Sequence, residues 1–147
     1  MKLFYRLFKR LPTPIQWWAY HLANPHFLVG VVGILIRDEK VLIVKNSYRS
    51  GWSLPGGMLK KGEEATDCFI REVREELGVQ VRNATVVTAV TVKPLLMEIC
   101  CQAELGDQEL ALDEKELVSA QFVGPHELPS DLSPSSRNHL NRYFSLK

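Results

Sequence analysis

The chain has 147 residues, of which 46% are apolar and 24% charged, with a formal net charge of +1. That length and balance describe one globular domain with enough apolar material for a core. They exclude intrinsic disorder and any bulk electrostatic attraction for nucleic acid or an acidic partner, so a charged site has to be local. Cys68, Cys100 and Cys101 form an odd set without metal-ligand spacing, and an adjacent pair is poorly placed for a structural bridge. This usage fits a reducing cytoplasm.

At the N-terminus Lys2, Arg6, Lys9 and Arg10 precede any acid, the first being Asp38. The 26 residues between Arg10 and Arg37 carry no formal charge, which raises the question of a membrane span. Pro12, Pro14, Gln16, His21, Asn24, Pro25 and His26 argue against one, and PTPIQWWAYHLANP reads as a short helix between prolines. Lys9 and Arg10 also interrupt the apolar core that a signal peptide needs. The basic, aromatic FYRLFKRL is suited either to a membrane surface or to packing on the domain or a second subunit. Residues 1–26 therefore read as an extension and residues 27–147 as the domain proper.

The β-branched run FLVGVVGILI predicts a strand, an Asp38-Glu39 turn and a returning strand through VLIVK. Ser47 to Lys61, punctuated by Gly51, Pro55, Gly56 and Gly57, predicts a loop. A helix is expected from about Glu64 to Leu77, with Phe69, Val73 and Leu77 on its apolar stripe and Gly78 as a left-handed stop. VQVRNATVVTAVTV and LLMEICCQAEL follow as strands with Pro94 near their junction, and Gly106-Asp107 reads as a turn. LVSAQFV is a last strand, and SPSSRNHLNRYFSL a closing helix capped by Ser133 with Pro134 in its first turn. The mixture implies a sheet covered by helices, an α/β (α+β) fold.

REVREELG, residues 71–78, places Glu72, Glu75 and Glu76 at the end of the second helix. At spacings of three and four they converge on one side, flanking the apolar stripe, where charge is poorly solvated. Like charges there cost a few tenths of a kcal/mol each, roughly, and acids in a last turn oppose the helix dipole by about 0.3 to 1 kcal/mol. Arg71 and Arg74 offset part of this, as they would on any salt-bridged solvated face. A divalent cation would reverse the sign of both penalties.

The surrounding chain, GGMLKKGEEATDCFIREVREELGV, resembles the signature of the Nudix hydrolases at every defining position: Gly57, Glu63, Arg71, Glu72, Val73, Glu75, Glu76, Gly78 and Val79. The likeness extends to the entry GWSLPGG, the hairpin before it and the QFVGPHELP segment, which falls where the family's last strand and final short helix do. It covers the chain from Phe27 onward. The resemblance implies an α/β/α sandwich with a mixed sheet. It also implies a Mg²⁺- or Mn²⁺-dependent pyrophosphohydrolase that cleaves a nucleoside diphosphate linked to another moiety with a metal-activated water. Mg²⁺ takes oxygen ligands and is commonly held by a few carboxylates plus substrate phosphates, which suits such a site. A nucleoside triphosphate pyrophosphatase, or a nucleotide-binding sensor without turnover, is the alternative; the intact carboxylates speak against the sensor.

By the same resemblance Glu72 and Glu76 are the principal metal ligands, Glu75 a further ligand or the base, and the Gly56 carbonyl an additional ligand. Arg71 orients the carboxylates, and Glu63 ties the loop back to it. Of Glu114 and Glu116, Glu116 fits better the further glutamate that many members place before the final strand. Ser119 and Gln121 depart from the family's usual acid and tryptophan there, which leaves the general base open. Arg49, Trp52 and Lys60 are candidate substrate contacts, Trp52 having an equal claim to the core. The implied partner is a small nucleotide rather than nucleic acid. Pro94 lies 15 residues past the box, a spacing that the family associates with ADP-ribose hydrolases, though a proline between strands also serves as a turn. No motif for NADH or coenzyme A is found, and the four histidines are scattered.

Overall fold

The computed structural model describes residues 8–24 and 26–145; of FYRLFKRL, residues 4–7 lie outside the described residues. The first helix, α1 (Thr13–Ala23), starts behind Pro12 and ends at Asn24, whose backbone N–H donates to the Tyr20 carbonyl at 3.1 Å. It is the helix expected between prolines, and it buries none of its residues. Among the described residues no helix is long and apolar enough to cross a membrane.

Strands β1 (Leu28–Arg37) and β2 (Lys40–Asn46) form the expected hairpin, with Arg37 opposite Lys40. Asp38 and Glu39 both take positive φ, 50° and 62°, as a two-residue turn matched to the twist of the strands requires. The predicted loop 47–61 is not all loop. It contains β3 (Trp52–Ser53), paired with β2, and β4 (Gly56–Met58), paired with β1. These short pairings satisfy backbone groups that glycine and proline content alone leaves unassigned.

The helix α2 (Ala65–Leu77) follows, with extended Glu64 before it and left-handed Gly78 after it. Strand β5 (Thr85–Lys93) begins later than the apolar pattern from Val79 predicts. Asn83 has φ 56°, which breaks the extended run, and Val79 and Val81 are buried as core plugs instead. Strand β6 (Leu96–Glu104) returns antiparallel to β5, with Pro94 and Leu95 in the turn where no ladder N–H is lost, and runs parallel to β1. Strand β7 (Leu117–Val123) pairs with β2. The GPHELP segment is a turn closed by the Glu127 carboxylate on the Gly124 N–H at 2.9 Å, not a helix. The last helix, α3 (Pro134–Ser145), is capped by Ser133, whose Oγ accepts the Ser136 N–H at 3.3 Å.

The sheet order is β3-β2-β1-β6-β5, with β4 also on β1 and β7 also on β2. One face carries Val31, Leu35 and Leu42 against Phe69, Val73 and Leu77 of α2; the other carries Ile34, Val41 and Ile43 against Leu140 and Tyr143 of α3. Helix, mixed sheet and helix make the expected three layers. Each fully buried side chain of this size stabilises the sandwich by ~1.5–3 kcal/mol. Strand alternation sends the adjacent Cys100 and Cys101 to opposite faces, so they join different clusters and all three cysteines are free.

Candidate active site

Helix α2 positions the acids, and it does so unevenly. Glu72 is 13% exposed and Glu75 49% exposed, whereas Glu76 belongs to the buried face beside Phe69, Val73 and Leu77 and is 2% exposed. Its Oε2 accepts the Gly56 N–H at 3.2 Å. Burial pushes the Glu76 carboxyl up to about 8; the Gly56 N–H opposes the shift, and the charges of Glu72, Glu116 and Glu75 add to it. A buried carboxyl that accepts the Gly56 N–H and lies within electrostatic reach of three further carboxylates is an expensive arrangement in water alone.

Arg71 occupies the other side of the same turn. Its Nε meets Glu63 Oε1 at 2.7 Å, Nη2 meets Glu63 Oε2 at 3.0 Å, and Nη1 reaches Glu72 at 2.5 Å and Glu75 at 3.1 Å. Nη2 also donates to the Met58 carbonyl at 3.3 Å, so the guanidinium fastens the loop before α2 to β4. The fork on Glu63 is bidentate, and the Lys60 N–H adds a third bond at 3.0 Å. Together these hold the Glu63 carboxyl down at about 2 and raise the Arg71 pKa. The neighbouring Cys68 thiol is pushed up to about 12, by burial first and then by Glu63, which makes it a packing residue.

The glycines allow the close approach of β4 and α2. A Cβ on Gly57 would run into the Glu72 carboxylate, and Gly56, at φ 147°, passes so near β1 that a Cβ would meet the Val31 carbonyl. At the far end of α2 the last carbonyls are not left open. The Ala111 N–H donates to Leu77 at 2.8 Å and the Asp113 N–H to Glu76 at 2.9 Å. The strap 111–116 therefore quenches part of the negative helix end that made three acids there look unfavourable. It also carries Glu116, exposed in the turn before β7, within electrostatic reach of Glu76.

Beside Gly56, across the sheet from α2, lies a cavity of about 430 Å³ whose walls include Trp52, Arg49, Tyr48, Glu98 and Lys93. Trp52 lines the cavity and packs partly on the α3-side core. The Arg49 guanidinium lies 5.4 Å from the Tyr48 ring centroid. Lys60 is exposed on the loop before α2 and is not among the cavity's lining residues. A wider depression of about 730 Å³ along β5 and β6 contains none of the box residues.

Two polar groupings in the cavity are absent from the sequence reading. Asn46 bridges the Ser53 hydroxyl at 2.9 Å and the Tyr48 hydroxyl at 3.3 Å. His139, fully buried on α3, meets Glu98 at 3.3 Å, while its Nδ1 has no partner among the described residues. The only signal for the latter was a glutamate inside the apolar run LLMEICC. The histidines are less scattered than expected, too, since His21 and His26 stack with ring centroids 5.2 Å apart.

The carboxyl-rich turn fits a hard divalent cation, because its donors are oxygens and Glu76 is buried among like charges that a cation would neutralise. As the side chains stand, no three His, Cys, Asp or Glu of the described residues are gathered into a cation site, with Glu72 and Glu75 turned to Arg71.

Residues 27–143 match the NUDIX domain family. Among related proteins, an NAD-capped RNA hydrolase NudC of Pseudomonas fluorescens is 32% identical over 125 residues, covering 83% of this chain and 44% of that protein. An uncharacterized Nudix hydrolase YvcI of Bacillus subtilis is 42% identical over 50 residues, 34% of this chain and 32% of that protein. The chain thus spans less than half the length of these relatives. The crystal structure of a MutT NUDIX hydrolase from Burkholderia pseudomallei superposes with a TM-score of 0.71 at 23% identity, covering 80% of this chain and 97% of the other. With the box residues around Arg71 and Glu76 and a match over most of its length, the chain belongs to the Nudix family.

Proposed function

We propose that this protein is a divalent-cation-dependent pyrophosphohydrolase acting on a nucleoside diphosphate linked to another moiety. The observation that carries the proposal is the buried Glu76 carboxyl, which accepts the Gly56 N–H and lies within electrostatic reach of Glu72, Glu116 and Glu75, while Gly56 also lines the neighbouring cavity. The hydrolase class is supported by the names of relatives that match most of this chain, though the chain spans less than half of their length.

Glu72, Glu75, Glu76 and the Gly56 carbonyl would hold the cation, for which Mg²⁺, with Mn²⁺ as substitute, suits the oxygen donors. When bound, it neutralises charge on phosphoryl oxygens and lowers the pKa of a coordinated water. Arg71 keeps Glu72 and Glu75 at fixed positions, and its bidentate hold on Glu63 fixes the loop from which they are approached. Glu116, exposed and within electrostatic reach of the Glu76 carboxyl, is the base we propose for an attacking water, with Glu75 the second candidate. Trp52 offers a face for stacking in the cavity, and Arg49 a cation for phosphate.

Release of nucleotide product would be followed by chromatography over nucleotide sugars, ADP-ribose, CDP-alcohols, dinucleoside polyphosphates, NAD and nucleoside triphosphates, with Mg²⁺ and with chelator. NAD-capped RNA belongs in the panel because of the relatives' names, although residues 27–147 carry fourteen bases against seventeen acids and so offer RNA no bulk attraction. Metal-dependent turnover of at least one compound is expected, with collapse in Glu76→Gln and Glu72→Gln. Undiminished activity in those variants would sink the ligand assignment. Release confined to triphosphates would favour the pool-cleaning alternative, and tight nucleotide binding without turnover a sensor.

A further inference from the structure

We propose that α1 docks the protein on an anionic lipid surface. Ile15, Trp18 and Leu22, at i, i+3 and i+7, form one face of the helix and are 46%, 66% and 69% exposed. Trp17 and Tyr20, 60% and 57% exposed, lie on the opposite side of the helix, edge to face with each other. A helix that leaves two tryptophans bare to water is costly as an isolated surface, and tryptophan and tyrosine are the side chains that settle at the headgroup level of a bilayer. At 11 residues α1 is too short to span the ~20-residue hydrocarbon core and is suited to lie in the interface plane.

Charge selects the occupant. Residues 1–26 hold Lys2, Arg6, Lys9 and Arg10 and no acid, whereas the remaining residues hold fourteen of the eighteen bases and all seventeen acids, a net −3. An anionic surface attracts the first part and repels the second, which orients the molecule with α1 down. A second copy of the chain would instead bring two basic, acid-free segments together, so self-association through this face is opposed.

Further apolar side chains are exposed where the domain begins. Phe27 and Leu28 are 44% and 63% exposed, and Leu28 donates its N–H to the carbonyl of Leu95, itself 54% exposed in the β5–β6 turn. Lys93 and Leu96, on either side of that turn, line the cavity beside Gly56. Docking through this end brings the cavity rim near the lipid headgroups.

Full-length protein would be sedimented with vesicles of phosphatidylcholine alone and of phosphatidylcholine with an equal amount of phosphatidylglycerol. Binding at least about tenfold tighter to the anionic vesicles is expected, lost at ~1 M salt. The variants Ile15→Ser/Trp18→Ser/Leu22→Ser and Lys9→Glu/Arg10→Glu should each lose about tenfold or more of that binding. Because α1 buries nothing, both should keep the parent's melting temperature and its turnover of soluble substrate. Quenching of tryptophan fluorescence by brominated acyl chains should accompany binding in the parent and disappear in the triple variant. No binding, equal binding to both vesicle types, or a dimer that the triple variant converts to monomer would each overturn the proposal.

Discussion

Glu76 and Gly56 are twenty residues apart in sequence and joined by a 3.2 Å hydrogen bond from the Gly56 N–H to a carboxylate on the buried face of α2. That contact, together with Arg71 Nη2 on the Met58 carbonyl, docks α2 on β4. It leaves the Glu76 carboxyl facing the charges of Glu72, Glu116 and Glu75.

Stability without metal should therefore fall with rising pH. Folding raises the Glu76 pKa from 4.5 to about 8, so the folded state binds the proton more tightly than the unfolded state between those values. Stability is lost across that window and levels off above it, by on the order of a few kcal/mol. Urea unfolding in chelator at pH 5 and pH 8.5 measures the slope. Glu76→Gln or saturating Mg²⁺ should flatten it, and a midpoint that climbs over the window contradicts the assignment.

Glu63 predicts the opposite limb. Folding lowers its pKa from 4.5 to about 2, through Arg71 first and the Lys60 N–H second. Its contribution is thus present above pH 4.5 and lost as pH falls toward 2. Glu63→Gln should make acid unfolding between those values shallower, as followed by circular dichroism, with little change near neutrality in the acid slope itself.

Replacing Arg71 separates charge from geometry. Arg71→Lys keeps a cation but cannot reproduce the fork on Glu63 while reaching Glu72 and Glu75. A loss of about 2 kcal/mol in unfolding free energy and a fall in kcat of about tenfold or more are expected, with Arg71→Ala worse on both. Wild-type kcat in Arg71→Lys would show that the three carboxylates do not depend on it for position.

Gly57→Ala tests the approach of β4 to α2. The added Cβ must displace the Glu72 carboxylate, the mobile end of a side chain, so folding is expected to survive at a cost of about 1 kcal/mol while cation affinity drops ~10- to 100-fold. Calorimetric titration with Mg²⁺ or Mn²⁺ gives the second number. Unchanged affinity would place the cation away from Glu72.

Much of this was legible in the chain. The helix ending at Gly78, the Asp38-Glu39 turn, the Ser133 cap and the three-layer sandwich follow from local periodicity, turn chemistry and the box spacing. What escaped depends on distant partners. The brief pairings of Trp52 with Lys45 and of Gly57 with Val31 exist only because β1 and β2 lie alongside, and no propensity within two or three residues announces them. Asn83 ended a run that apolar alternation alone would have continued from Val79. Spacing put Glu72 and Glu76 together at the rim of the apolar stripe, yet only packing shows that Glu76 is nearly sealed and Glu75 half open. The Glu98–His139 pair joins residues 41 apart and has no local pattern at all.

The strap 111–116 gives the domain a modular boundary with a constraint attached. Two backbone amides, from Ala111 and Asp113, end α2, and three residues after the second comes Glu116. A graft that exchanges this connection with another family member transplants a helix terminator and a candidate base as one piece. A single-residue change in length between Asp113 and Glu116 would move the acid around the turn while leaving the helix end intact. Divergence in proton handling can thus arise here by slippage of the connection, without a substitution in the box.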